Sequence, residues 1–167
     1  LHDALPILVI VLNLVLRIGT GQRAMQPLQA NSPQLHADIT GFVETRGAAW
    51  GARRAVVQRA ALAALEAAEA IAASAGGPRQ VTGIRGSFDE FNLDLELLHS
   101  GAPLPLPAAT PGTPTPASLL EGDDSAIDAA LAQMSALLLR HLADRVSASA
   151  GSGADAGQSV LRLHFEH

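Results

Sequence analysis

Two histidines spaced by three, His164 and His167, are the first side chains in this sequence that could share a metal ion. On a helix that spacing puts both rings on one face, but residues 159–166 alternate apolar and polar types, which predicts a strand with His164 facing away from Leu163 and Phe165. A solvent-facing histidine follows. Asp89, Glu90, Asp94 and Glu96 offer carboxylates for calcium binding or general-acid chemistry. A calcium site needs several oxygens converging on one loop, whereas a strand splits these along its length, so a solvated sheet face is expected. Ser100 and Ser135 stand in no Gly-x-Ser-x-Gly elbow, which leaves hydrolase catalysis without support. The chain does not read as an enzyme, and no metal or cofactor is expected.

Composition narrows the function further. With 167 residues there is room for one anchor and one small domain. Every one of the 11 basic residues is Arg, and the net charge of −5 argues against a nucleic-acid partner, whose phosphates demand a basic surface. Cysteine is absent, so neither a disulfide framework nor a thiolate metal site can form. Arg46, Arg53, Arg54 and Arg59 cluster where they would meet either anionic headgroups or plain solvent.

The elements that must position these groups begin with an apolar run. Ten of the residues from Leu5 to Leu16 are Leu, Ile or Val, broken by Pro6 and Asn13 and closed by Arg17 and Arg23. A secretory signal would carry its positive charge before the run. Here Asp3 precedes it and Arg follows, so the positive-inside rule predicts a truncated last transmembrane helix over residues 1–19, with the bilayer as its partner and residues 20–167 in the bacterial cytoplasm. Leu1–Ile7 resembles adapter-derived translation and carries no functional weight.

Residues 20–50, rich in Gly, Pro, Gln, Ser and Asn, read as a connector. From Gly51 to Ala75, Val56, Val57, Ala60, Ala61, Ala64, Leu65, Ala68, Ile71 and Ala72 recur at helical spacing, and Gly76-Gly77-Pro78 stops the helix. Strands are predicted over 80–88 and 93–99, joined by a turn at Asp89–Asn92. Prolines from Pro103 to Pro116 make Gly101–Ala117 an exposed loop. A second helix follows from Gly122 or Asp123 to Leu142, its core face being Ile127, Leu131, Met134, Leu138 and Leu142. Strands over 145–150 and 159–166 complete the chain. The fold class expected is α+β: an N-terminal transmembrane helix fragment, then, over residues 51–167, a two-layer domain with two helices on one face of a four-stranded sheet.

Two resemblances accompany these patterns. The order of elements over about 100 residues resembles a reduced histidine-kinase-type ATPase domain: Ala63–Ala75 is similar to its Glu-and-Asn helix, Leu97-Leu98-His99-Ser100-Gly101 to the strand entering its Asp-x-Gly box, and Leu137–Val146 with Val160–Phe165 to its closing helix and hairpin. Glu66 stands where that family has a metal-coordinating Glu, but Ala70 replaces the Asn that completes the magnesium site. His99 replaces the adenine-reading Asp, leaving Gly101 of that box, and no Gly-x-Gly precedes Leu137. The resemblance thus implies a degenerate nucleotide site at Glu66 and Gly101 without tight ATP binding.

The second resemblance joins Val11-Leu12-Asn13-Leu14-Val15-Leu16-Arg17-Ile18-Gly19 to the end of the last helix of uracil/xanthine permeases, the nucleobase:cation symporters. Ser87–Asp94 and Ala143–Val146 are similar to a cytosolic extension in some bacterial members. It implies the C-terminal part of a purine or pyrimidine permease whose nucleobase site lies wholly upstream, with a cytosolic domain of regulatory or interaction role and the possibility of a homo-oligomer. The alternative is a membrane-tethered, ATPase-fold signalling module.

Overall fold

A computed structural model of the chain describes residues 4–19, 21–74, 77–108 and 124–167. It comprises helix α1 (Ala4–Gly19), strand β1 (Gln22–Pro27), helices α2 (Leu35–Trp50) and α3 (Arg54–Ala73), strands β2 (Val81–Phe88) and β3 (Asn92–His99), helix α4 (Asp124–Leu142), strand β4 (Arg145–Ala150), a 3-10 turn at Gly153–Asp155 and strand β5 (Ser159–Glu166). The strands form one antiparallel sheet in the order β1-β2-β3-β5-β4.

Alternation in the strands builds the sheet's two faces. Ile84, Leu97 and Leu161 align across β2, β3 and β5, as do Phe88, Leu93 and Phe165; all six are buried in the core beneath the helices. The intervening rows carry charge. Arg85, Glu96 and Arg162 align in one row and Ser87, Asp94, His164 and Arg145 in the next. The register therefore sends one face to a hydrocarbon core and the other to an ion-pair ladder.

Helix α3 is the hub of the core. Its buried positions include Val57, Ala60, Ala64, Ala67 and Ile71, and it packs on β2, β3 and β5 as well as on both neighbouring helices. Against α2 the approach is close: a Cβ at Gly47 would lie 2.6 Å from Val57 Cγ2, inside any real contact, so only glycine fits that crossing. Trp50 at the end of α2 stacks on Phe88, with ring centroids 6.3 Å apart and planes 4° from parallel.

Three expectations are corrected here. First, no helix of the described residues is long and apolar enough to cross a membrane. The helix α1 has 16 residues, about 24 Å, against a hydrocarbon core of roughly 30 Å. The transmembrane reading of residues 1–19 therefore fails, and the membrane and transport readings built on that span lose their support. Second, the segment read as a connector, residues 20–50, contains both β1 and α2. Ile39, Phe42, Val43 and Gly47 keep a helical spacing and are buried, but Gly and polar residues between them dilute the pattern. The sheet consequently has five strands rather than four, and three helices rather than two belong to the layered domain.

Third, the face of α4 expected to enter the core is exposed except at Leu142, which does pack against the core. Ile127, Leu131, Met134 and Leu138 stay between 37% and 57% accessible, while Ala130, Ala136 and Leu139 are buried. The partner decides this. Because α3 presents alanines, the best fit sets small residues of α4 against them and turns the larger side chains outward. Other elements lie close to their expected bounds, and of the proline-rich loop, residues 101–108 carry no helix or strand while the rest falls outside the described residues.

Candidate binding cleft

Between the end of α3, residues 104–107 and the first half of α4 lies a cleft of about 590 Å³, within the roughly 300–1,000 Å³ usual for ligand sites. Ala70, Ala73 and Ser74 come from α3 and its C-terminal cap, and Asp128, Leu131, Ala132, Ser135 and Ala136 from α4. The small side chains that let the two helices approach also leave this space between them.

Two arginines hold the third wall. Arg140 Nη1 donates to the Pro107 carbonyl at 2.6 Å, tying the extended segment to α4. Arg79, itself buried, donates from Nε to the Ala102 carbonyl at 2.9 Å and from Nη1 to Ser74 Oγ at 2.6 Å, and the Ser74 hydroxyl donates in turn to the Ile71 carbonyl at 3.0 Å. Leu104, the first residue of this strap, is buried in the core. These bonds fix an otherwise irregular segment, since its prolines cannot join a strand ladder.

His99 sits wholly buried at the end of β3. Its Nδ1 lies 2.8 Å from the Ser100 carbonyl and so carries the proton, while Nε2 has no hydrogen-bond partner among the described residues. Burial lowers the ring's pKa and the nearby Arg79 lowers it further, against an upward pull from the Ser100 carbonyl that is weaker than burial. The ring is held neutral.

The two residues singled out by the ATPase resemblance fall outside the lining of this cleft. Glu66 lies half-buried on α3, one turn before Ala70. Gly101 turns the chain at φ +84° where β3 ends; a Cβ there would come within 3.1 Å of Arg79 Cγ, and its carbonyl accepts a hydrogen bond from Ser159 Oγ at 2.7 Å. That geometry locks the exit of β3 to β5.

The remaining candidates are absorbed by the opposite face of the sheet. Glu96 accepts from Arg85 and, at 2.7 Å, from Arg162, while Arg85 also pairs with Asp155 at 2.8 Å. Burial pushes the Glu96 carboxyl up, but the two guanidinium bonds outweigh it and hold the group below the ordinary carboxylate range. His164, expected to face solvent, lies on that face with a side chain only 14% accessible, its Nδ1 2.7 Å from Asp94 Oδ1. His167 turns elsewhere: its Nε2 accepts the Arg53 backbone N–H at 2.7 Å and its ring meets Phe88 edge-on. Asp89 caps the β2–β3 turn, accepting the backbone N–H groups of Phe91 and Asn92 at 2.8 Å each; burial pushes its carboxyl up, but those bonds prevail and hold it low.

Among the described residues the cleft is chemically an apolar groove with one carboxylate, Asp128, and hydroxyls that include Ser74 and Ser135. Among the described residues no three carboxylate or imidazole groups converge to hold a metal. No motif in the sequence marks the groove, whose alanines and serines face each other only once the two helices are packed. No protein-family model matches the chain, and no curated protein matches it at a significant level.

Proposed function

We propose that residues 21–167 act as a binding domain, without catalysis, that captures an apolar helical segment in the groove between α3 and α4. One observation carries the reading: Leu131 both lines the groove and belongs to the exposed stripe of Ile127, Met134 and Leu138, so the apolar surface runs unbroken out of the cleft along α4. Helix-in-groove recognition uses such a stripe, with anchors at three- and four-residue spacing on the incoming helix. The charged face of the sheet is self-paired and offers little to a partner, whereas the helical face offers exposed carbon.

The test is a titration of a fluorescein-labelled amphipathic Leu/Ala helix with dilute protein, read by anisotropy. Saturable binding is expected, and Ala132→Trp, which fills the groove, should abolish it while the far-ultraviolet dichroism stays native. Binding that ignores Ala132→Trp would overturn the reading. So would a concentration-dependent rise in melting temperature with magnesium and ATP, which would favour the ATPase-fold alternative. Attachment of this domain to a nucleobase permease stays a proposal resting on the resemblance at Ser87–Asp94 and Ala143–Val146, and the gene sequence upstream of Leu1 tests it.

A further inference from the structure

Two large apolar surfaces face outward among the described residues, and they hang from opposite edges of the sheet. The first is α1, exposed from Ala4 to Val15, with Leu8, Ile10, Leu12, Leu14 and Val15 each more than half accessible. The second is the α4 stripe with its cleft. Within one chain they cannot cover each other. Only two residues join α1 to β1, the edge strand farthest from β4, and α4 packs beside β4 and α3. Four strand spacings of about 4.8 Å separate those edges by about 19 Å. A 16-residue helix of about 24 Å, laid across that width from its tethered C-terminal end, would reach α4 with little more than its first turn.

We propose that a second copy of this chain covers both surfaces: α1 of each copy lies in the α3–α4 cleft and along the α4 stripe of the other, a reciprocal exchange closed by a two-fold axis. The inference rests on the groove reading above and names its occupant. Chemistry fits, because no charged residue occurs between Ala4 and Leu16, so α1 enters an apolar groove without bringing a charge of its own. Its one amide, Asn13, supplies donors of the kind that Asp128 accepts. Area fits too: residues 8–15 and the α4 stripe together expose on the order of 1,000 Å² of apolar surface per copy, against roughly 800 Å² per partner in a standard interface.

Sedimentation equilibrium on the 167-residue chain over a concentration series tests it, with two double variants: Leu8→Glu with Leu12→Glu, and Leu131→Glu with Met134→Glu. The wild type should be a dimer and each variant a monomer. An equimolar mixture of the two variants should recover a heterodimer through the one intact helix–groove contact, at least roughly tenfold weaker than the wild type. If a Glu pair fails to fold by dichroism, the corresponding Ser pair replaces it. A dimer that survives the α4 substitutions would overturn the exchange in favour of pairing between α1 helices. A wild type that stays monomeric would overturn it as well, whether or not it binds phosphatidylcholine vesicles. If that monomer still captures the labelled Leu/Ala helix, the groove reading stands and only the exchange falls; if capture ignores Ala132→Trp, the groove reading itself falls.

Discussion

The helices on either side of α3 meet it in different ways. On one side α2 comes so close at Gly47 that Val57 fills the place of a side chain and no space remains at that crossing, although a more open cleft of about 590 Å³ lies farther along, between the start of α2 and the end of α3. On the other side α4 also offers small residues, Ala130 and Ala136, yet a cleft of about 590 Å³ persists beside them. Small residues alone do not close a helix pair. They shorten the approach, and whether a gap remains depends on what enters between the axes. At the α2 contact Val57 does so, whereas at the α4 contact the strap of residues 104–107 is held to the side by Arg79 and Arg140.

The sharpest way to test that contrast is to truncate the hub. Ile71, fully buried, is shared by the whole core, and Ile71→Ala should cost about 2–5 kcal/mol in a urea titration. Next comes the closed side. Gly47→Val forces two branched side chains into one space and should cost about 1–3 kcal/mol by the same measurement. A cost near zero would mean that α2 is free to slide away and is not locked to α3.

A different property, the burial of His99 at the end of β3, should reveal itself through acid. His99 has a depressed pKa, so between its ordinary value near 6.5 and its folded value the unfolded chain binds a proton that the folded chain refuses. Its contribution to stability is therefore complete above that ordinary value and is lost as pH falls toward the folded one. His99→Leu should flatten the decline of melting temperature below about pH 6.5; an unchanged slope would place the acid sensitivity elsewhere. The smallest effect belongs to the stripe. Leu131→Ala, at 57% accessibility, should change stability by no more than about 0.5 kcal/mol under dilute, monomeric conditions, the reverse of what a leucine on the expected core face would show.

Much of the element order is readable because the segments concerned are strongly periodic. The alternation of Leu93, Leu95 and Leu97 with Asp94 and Glu96 announces β3, and the Ala-rich spacing from Val56 to Ile71 announces α3. The segment that escaped, residues 20–50, fails for a local reason: α2 carries Gly41 and Gly47 among its apolar residues, and β1 is a short edge strand whose Gln, Arg and Pro give no β signal. The groove was hidden for a different reason. Ala70, Ala73, Ala132 and Ser135 have no chemical signature of their own, and they form a site only where two helices bring them together.

By itself the sequence determined the local periods, the turn at Asp89, the separation of apolar from charged rows along each strand, and the absence of thiol chemistry, since these depend on neighbours within a few residues. Tertiary structure alone decided that the apolar run at the N-terminus is a 16-residue helix exposed over its first twelve residues, and which side of α4 faces inward. Burial is a property of the partner surface. An alanine-lined hub selects alanines, and the leucines left outside are what make this face of the molecule a place to bind.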